Sequence, residues 1–172
     1  MTDPHTSLTR RRVLSGAALV AATAGSARAG TAEGDFRHEI VRSESDWRSR
    51  LSDAEFRILR LGETEEKFIS PLVENTEPGS YCCRGCDLTV YDQQWQVYPD
   101  KGWVFFRHAA PQSVLTAIDG NPYIGSTDVR EFTLIEVHCR RCGSHFGHLL
   151  TVDGETLHCI NGTALRFRPA SA

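Results

Sequence analysis

The 172-residue chain has no excess of positive charge: 19 Lys and Arg against 22 Asp and Glu leave a formal net charge of −3 and a pI near 6.2. A domain that holds nucleic acid through phosphate attraction needs the opposite balance. Long apolar runs are missing too. The mild run from Val13 to Gly25 is rich in Ala and Gly, too short and too weakly hydrophobic to span a bilayer. No repeat of solenoid length and no low-complexity linker divides the rest. Methionine is nearly absent, with a single residue at position 1. A hydrophobic share of 40% beside 24% charged residues excludes global disorder, and the length favours one domain around one core. What the chain does have is cysteine. Six Cys in so small a protein mean disulfides, metal or redox chemistry.

The first thirty residues stand apart from the fold. Thr9-Arg10-Arg11-Arg12-Val13-Leu14 is a basic cluster, the Val13–Gly25 run follows it, and Ala27-Arg28-Ala29 has the A-x-A form of a cleavage site. The pattern resembles a twin-arginine export signal, with Arg10 and Arg11 as the pair. The expectation is therefore a leader over residues 1–29 and a single domain over 30–172. That mature chain would have 143 residues, a net charge of −6 and a periplasmic location, without stable membrane insertion. A twin-arginine route exports folded protein, so a metal can be loaded before export.

Within 30–172, residues 43–62 read as two short helices. Ser52 and Glu55 form a capping box, Phe56 and Leu59 share a face, and Gly62 is a stop. Asn75 to Ser80 reads as a loop. From Tyr81 onward the pattern is β-like. Trp103 to Phe106 is one run, and Phe132 to His138 suits a strand buried largely on both faces. Phe146–Val152 and Glu155–Asn161 flank Asp153-Gly154, a strong hairpin signal. The expected fold is α+β, mainly β: short N-terminal helices, then two antiparallel sheets in a tent-like arrangement.

Cys83-x-x-Cys86 and Cys139-x-x-Cys142 are two tight knuckles, with Gly85 and Gly143 supplying backbone freedom beside the ligands. Four thiolates suit tetrahedral Zn²⁺, and a site closed by four sulfurs is structural rather than catalytic. The 52 residues between the knuckles require them to come from two separate hairpins that clamp the sheet. Disulfides or a redox pair are the rival reading, because an exported protein meets an oxidising compartment.

Cys82 and Cys159 remain. If Asp153-Gly154 is a two-residue turn, Val152 opposes Glu155, His148 faces Cys159, and Phe146 faces Asn161. An imidazole directly across from a thiol favours the reactive thiolate. A buried structural Cys beside a core His is the plainer alternative. His145 has the opposite strand parity to His148, so both reach one pocket only if Gly147 marks a bulge.

The order of motifs is Thr64-Glu65, Phe68, Ser70-Pro71-Leu72, the first CxxC, Gly102-Trp103, then Glu136-Val137 before Cys139-Arg140-Arg141-Cys142-Gly143. After it come His145-x-Gly-His148, Asp153-Gly154, Cys159-Ile160-Asn161 and Leu165-Arg166-Phe167. Over about residues 45–168 this resembles the methionine-R-sulfoxide reductase B family. The resemblance implies that Cys159 attacks the sulfoxide sulfur and becomes a sulfenic acid. It implies that Trp103 offers its indole face to the substrate methyl group, that His145 and His148 hold and protonate the oxygen, and that Asn161 orients the site. Read by itself, Trp103 also suits a core aromatic. Asp153 is either a further site acid or only a turn residue.

Three departures stand out. The family's Gly-Trp-Pro-Ser-Phe is here Gly102-Trp103-Val104-Phe105-Phe106. Leu157 takes the position of an Arg two residues before the catalytic Cys, leaving Arg166 or Arg107 as substitutes, and the stretch between Asp153-Gly154 and Cys159 is short. Lys101 stands where many relatives carry a resolving Cys. Either Cys82 forms a disulfide with Cys159 that a thioredoxin-like partner reduces, or an external thiol reduces the sulfenic acid directly. The expected activity is repair of free or protein-bound methionine-R-sulfoxide under oxidative stress. A zinc-stabilised β-domain that binds a ligand or protein without catalysis is the alternative. A mature chain without methionine suits a setting in which methionines are oxidised.

Overall fold

The structure, a computed structural model, describes residues 36–119 and 134–171. The expected leader and the first two residues of the Phe132–His138 run lie outside the described residues. Helix α1 (Glu44–Arg48) starts from a capping box of Ser43 and Asp46, and α2 (Asp53–Leu61) from one of Ser52 and Glu55. Gly62, at φ 73°, ends α2 in the left-handed conformation that a residue without Cβ adopts at little cost. The helices bury Trp47, Phe56, Ile58 and Leu59 against the sheets.

Among the described residues nine strands follow: β1 (Gly79–Cys83), β2 (Thr89–Asp92), β3 (Gln96–Val97), β4 (Val104–Phe106), β5 (Val114–Asp119), β6 (Leu134–Cys139), β7 (His145–Val152), β8 (Glu155–Ile160) and β9 (Leu165–Pro169). They form two sheets, β2-β1-β9 and β3-β4-β8-β7-β6-β5, antiparallel throughout. The expected α+β, mainly β architecture is what the chain adopts. Tyr91 of the small sheet stacks on Phe106 of the large one at 4.1 Å, and Tyr81 meets the same ring edge-on at 5.1 Å. These aromatics, fully buried with Phe146 and Ile160, join the sheets into one core.

Two local expectations change. The loop over Asn75–Ser80 is shorter, because Gly79 and Ser80 already pair with β9. β6 is not buried on both faces. Ile135 is 43% exposed, and Ile118 across from it on the edge strand β5 is 80% exposed, so the outer end of this ladder packs on one side only.

The β7–β8 hairpin turns at Asp153 (φ 52°) and Gly154 (φ 84°), the two left-handed residues of a type I′ turn. Val152 pairs with Glu155 and His148 with Cys159, the register the sequence predicts. Between β6 and β7 the ladder slips, from Val137↔Gly147 to His138↔His145, which leaves Phe146 as the extra residue of a bulge. Gly147 has φ 154°, and a Cβ there would sit 2.1 Å from the Cys159 carbonyl oxygen. Only glycine lets β8 approach this closely.

Candidate functional site

The four knuckle cysteines come together at the ends of two hairpins, β1–β2 and β6–β7. All four sulfurs lie within 4.8 Å of one another, with Cys83 to Cys142 at 3.7 Å and Cys86 to Cys139 at 3.6 Å. A tetrahedron with metal–sulfur bonds of about 2.3 Å has edges of about 3.8 Å, so the donor set fits a tetrahedral ion such as Zn²⁺. These separations are far beyond the ~2.05 Å of a disulfide, and all four residues are free thiols. The knuckles mirror each other: Asp87 and Gly143 donate backbone N–H groups to the carbonyls of Cys83 and Cys139, each at 2.8 Å. Asp87 (φ 59°) and Gly143 (φ 66°) carry the left-handed turns. Gly85 does not supply backbone freedom as expected. It permits contact between the knuckles instead, since a Cβ there would lie 2.8 Å from Ser144 Oγ.

On the other side of the bulge, Cys159 lies in a cavity of about 140 Å³ walled by Trp103, His148, Asn161, Thr64, Leu134 and Leu150. Cys159 is half-buried. Burial, and then the charge of Glu65, push its thiol up to about 12, so the resting group is protonated. Its ladder partners are His148 on one side and Phe105 on the other. Phe105 and Val104, which depart from the Pro-Ser pattern, are buried in β4 and extend its pairing to β8.

Trp103 is fixed by its indole N–H, which donates to the Glu65 carbonyl at 3.2 Å, and the Lys67 ammonium sits 5.2 Å from its ring. Asn161 is buried. Its Nδ2 donates to the Phe146 carbonyl at 2.8 Å, and its Oδ1 accepts from the Glu65 backbone N–H at 3.0 Å. The Glu65 carboxylate accepts from the Gly162 and Thr163 N–H groups at 2.5 and 2.8 Å, which secures the turn that follows Cys159.

The bulge brings the two histidine rings to 5.3 Å. His148 forms the cavity wall, whereas His145 is buried behind it. His145 Nδ1 donates to Glu136 Oε1 at 2.7 Å, and its Nε2 has no partner among the described residues. His138, and then His145, hold the Glu136 carboxyl well below the usual carboxylate range. His148 Nε2 donates to Asp119 Oδ2 at 2.8 Å.

Of the residues the sequence singles out, Cys159, His148, Trp103 and Asn161 meet at one cavity, with His145 behind. Asp153 does not join them: it is the exposed first turn residue of the hairpin, four ladder rungs from Cys159. Neither substitute cation reaches the thiol. Arg166 pairs with Asp87 at 2.7 Å and Arg107 with Glu155 at 3.1 Å, and Leu157 is buried. Cys82 is fully buried in the smaller sheet, 3.6 Å from Thr89 Oγ1. Asp119 carries no chemistry-bearing spacing in the sequence, and Glu65 and Glu136 show there only as parts of the Thr64-Glu65 and Glu136-Val137 motifs.

A SelR domain family model matches residues 51–169. The chain is 33% identical over 135 residues to the "Peptide methionine sulfoxide reductase MsrB" of Azotobacter vinelandii, covering 76% of this chain and 96% of that protein. It is 32% identical over 136 residues to "Peptide methionine sulfoxide reductase B6" of Arabidopsis thaliana, covering 76% and 82% respectively. The chain belongs to the methionine-R-sulfoxide reductase B family. Among solved structures, the "Mis18 'Yippee-like' Domain" aligns at 15% identity and a TM-score of 0.43, over 56% of this chain and 100% of that one. In this member of the methionine-R-sulfoxide reductase B family, Leu157, Val104 and Phe105 are all buried.

Proposed function

We propose that this chain is a peptide-methionine (R)-S-oxide reductase in which Cys159 takes the sulfoxide oxygen. The observation that carries the reading is the thiol at the base of a small apolar cavity, directly across from His148 and beside Trp103 and Asn161. The Cys159 sulfur attacks the sulfoxide sulfur. The S=O bond of the substrate breaks, an S–O bond forms at Cys159, and methionine leaves, with Cys159 now a sulfenic acid. The thiol proton ends on the transferred oxygen, and His148 is the cavity imidazole suited to move it. Trp103 supplies an apolar face for the substrate methyl group, and Asn161 keeps β8 and the bulge together. His145 acts from behind as a positioning residue.

Two external thiols restore the enzyme. The first displaces water and forms a mixed disulfide with Cys159, and the second releases Cys159 as a thiol. Burial of Cys82 in the other sheet favours this route over a Cys82–Cys159 disulfide. A thioredoxin-like protein is the chemical class of reductant. Cys83, Cys86, Cys139 and Cys142 hold Zn²⁺, which supplies a structural clamp between the two hairpins. Residues 1–29 act as a twin-arginine leader that sends the domain of residues 30–172 to the periplasm. Replacing both Arg10 and Arg11 with Lys should retain the protein in the cytoplasm, and unchanged export of that variant overturns the assignment.

The assay for the activity itself is reduction of the separated R and S epimers of a blocked methionine sulfoxide with dithiothreitol. Turnover of R alone, lost in Cys159→Ser, is the expected result. A folded, zinc-loaded protein that turns over neither epimer sinks the reading and leaves the non-catalytic binding domain, which the buried Leu157 favours.

A further inference from the structure

Sulfoxide reduction at Cys159 requires one proton to leave the thiol and reach the departing oxygen, and burial keeps that thiol protonated at rest. An imidazole that makes this transfer must be held in one orientation and one tautomer. His148 is so held, by an acid that no motif announces. Asp119 is the last residue of β5, the edge strand of the larger sheet, and pairs with Leu134 on β6. The ladders put Asp119, Leu134, Leu150 and Cys159 on one face, and across β6 the Asp119 carboxylate accepts the His148 Nε2–H at 2.8 Å. Asp153, the acid that the sequence brings to mind, is at the hairpin tip instead.

We infer that Asp119 is the positioning residue of the reaction, orienting His148 so that its Nδ1 exchanges the proton between the Cys159 thiol and the sulfoxide oxygen. With Nε2–H committed to the carboxylate, the neutral ring has its lone pair on Nδ1. When that atom takes the thiol proton, Asp119 stabilises the imidazolium until the proton passes to the oxygen. The sequence is carboxylate, imidazole, thiol, with the acid from the sheet edge and the other two from adjacent strands. Asp119 never touches substrate. Its side chain is 47% exposed, while that of His148 is 16% exposed, so the pair reaches from solvent to the cavity wall.

The inference rests on the reductase reading, and its test separates the two. In the full-length, metal-loaded protein, Asp119→Ala should lower kcat about tenfold or more, part of the roughly 10²–10⁴-fold that general acid–base catalysis supplies, with KM changed less than about threefold. Asp119→Glu should recover most of the loss. Nitrogen-15 NMR of His148 should show the Nε2–H tautomer in the wild type and a mixture in Asp119→Ala, with circular dichroism and metal content unchanged. Wild-type kcat in Asp119→Ala, a loss confined to KM, or an unchanged His148 tautomer overturns the inference. If the wild type lacks turnover, the reductase reading fails, and the tautomer measurement still decides whether Asp119 sets the ring.

Discussion

Glu65 and Asn161, 96 residues apart in sequence, close on each other: the Glu65 backbone N–H donates to Asn161 Oδ1 at 3.0 Å. The same Glu65 takes the indole N–H of Trp103 on its carbonyl and two backbone N–H groups on its carboxylate. One residue therefore fixes two walls of the Cys159 cavity and the turn that follows β8, and its negative charge opposes ionisation of the thiol.

Glu65→Gln keeps one acceptor for the Gly162 or Thr163 N–H and removes the charge. The Cys159 ionisation should move below its value of about 12, although burial, the larger cause, remains. Glu65→Ala should cost more stability, about 1–3 kcal/mol for each backbone N–H left without an acceptor. Thiolate absorbance against pH and urea denaturation measure the two effects. A Glu65→Gln protein with an unmoved or higher thiol ionisation contradicts the electrostatic assignment.

The resting Cys159 thiol should be slow toward alkylation. With ionisation near 12, only roughly 10⁻⁵ of it is thiolate at neutral pH, and the rate should rise tenfold per pH unit up to about pH 10. A plateau near neutrality would show a thiolate at rest. Stability follows the same linkage. The folded-state value lies above the 9.0 of the free thiol, so the contribution of Cys159 is complete below about pH 9 and is lost as pH rises toward 12. Wild type should therefore lose stability relative to Cys159→Ala as pH rises from about 9 toward about 12.

Gly147→Ala should be among the most damaging single-methyl additions in the chain. Its Cβ would meet the Cys159 carbonyl oxygen at 2.1 Å with the backbone at φ 154°. Strain and overpacking together suggest a loss of about 2–5 kcal/mol. Gly154→Ala, with nothing within 4 Å of its added Cβ, should cost less and mainly through its φ of 84°. Comparable denaturation midpoints for the two variants would remove the close approach as the reason for glycine at 147.

Purified protein should contain one Zn²⁺ per chain by elemental analysis. Stripping it with a chelator and a thiol-blocking mercurial should abolish cooperative unfolding, because Cys83 and Cys139 end strands in different sheets and a metal ties them together. Cys142→Ser should do much the same, whereas Cys82→Ser, beside Cys83 on β1 but outside the sulfur cluster and in contact with Thr89, should retain the metal. Loss of zinc in Cys82→Ser, or stoichiometric zinc in Cys142→Ser, would contradict the ligand set.

Local rules reach far in this chain. The capping boxes at Ser43 and Ser52, the stop at Gly62 and the turn at Asp153-Gly154 rest on near-neighbour hydrogen bonds and backbone freedom, so a few consecutive residues specify them. From that turn alone the ladder register follows, and with it the placement of His148 across from Cys159. A bulge between the two histidines also follows from parity, because residues three apart cannot share a strand face without one, although its extra residue is Phe146 rather than Gly147. The paired CxxC spacing is enough to imply a four-sulfur cluster, and the ordered motifs to imply the family.

Tertiary structure decided the rest. Whether Asp153 or Asp119 reaches His148 depends on the order β7-β6-β5 across the sheet, which no local spacing encodes. That Arg166 and Arg107 spend their charge on Asp87 and Glu155, away from the thiol, depends on neighbours contributed by distant loops and strands. The exposure of Ile135 reflects where β6 runs out of covering layers, a property of the packed sheet rather than of its hydrophobic pattern. Sequence alone singled out Cys159, His148, Trp103 and Asn161 as candidates and determined which of them share a hairpin. Only the assembled sheets decided which acid, which amide and which face each of them meets, because those contacts join different strands and loops across chain separations of 9 to 98 residues.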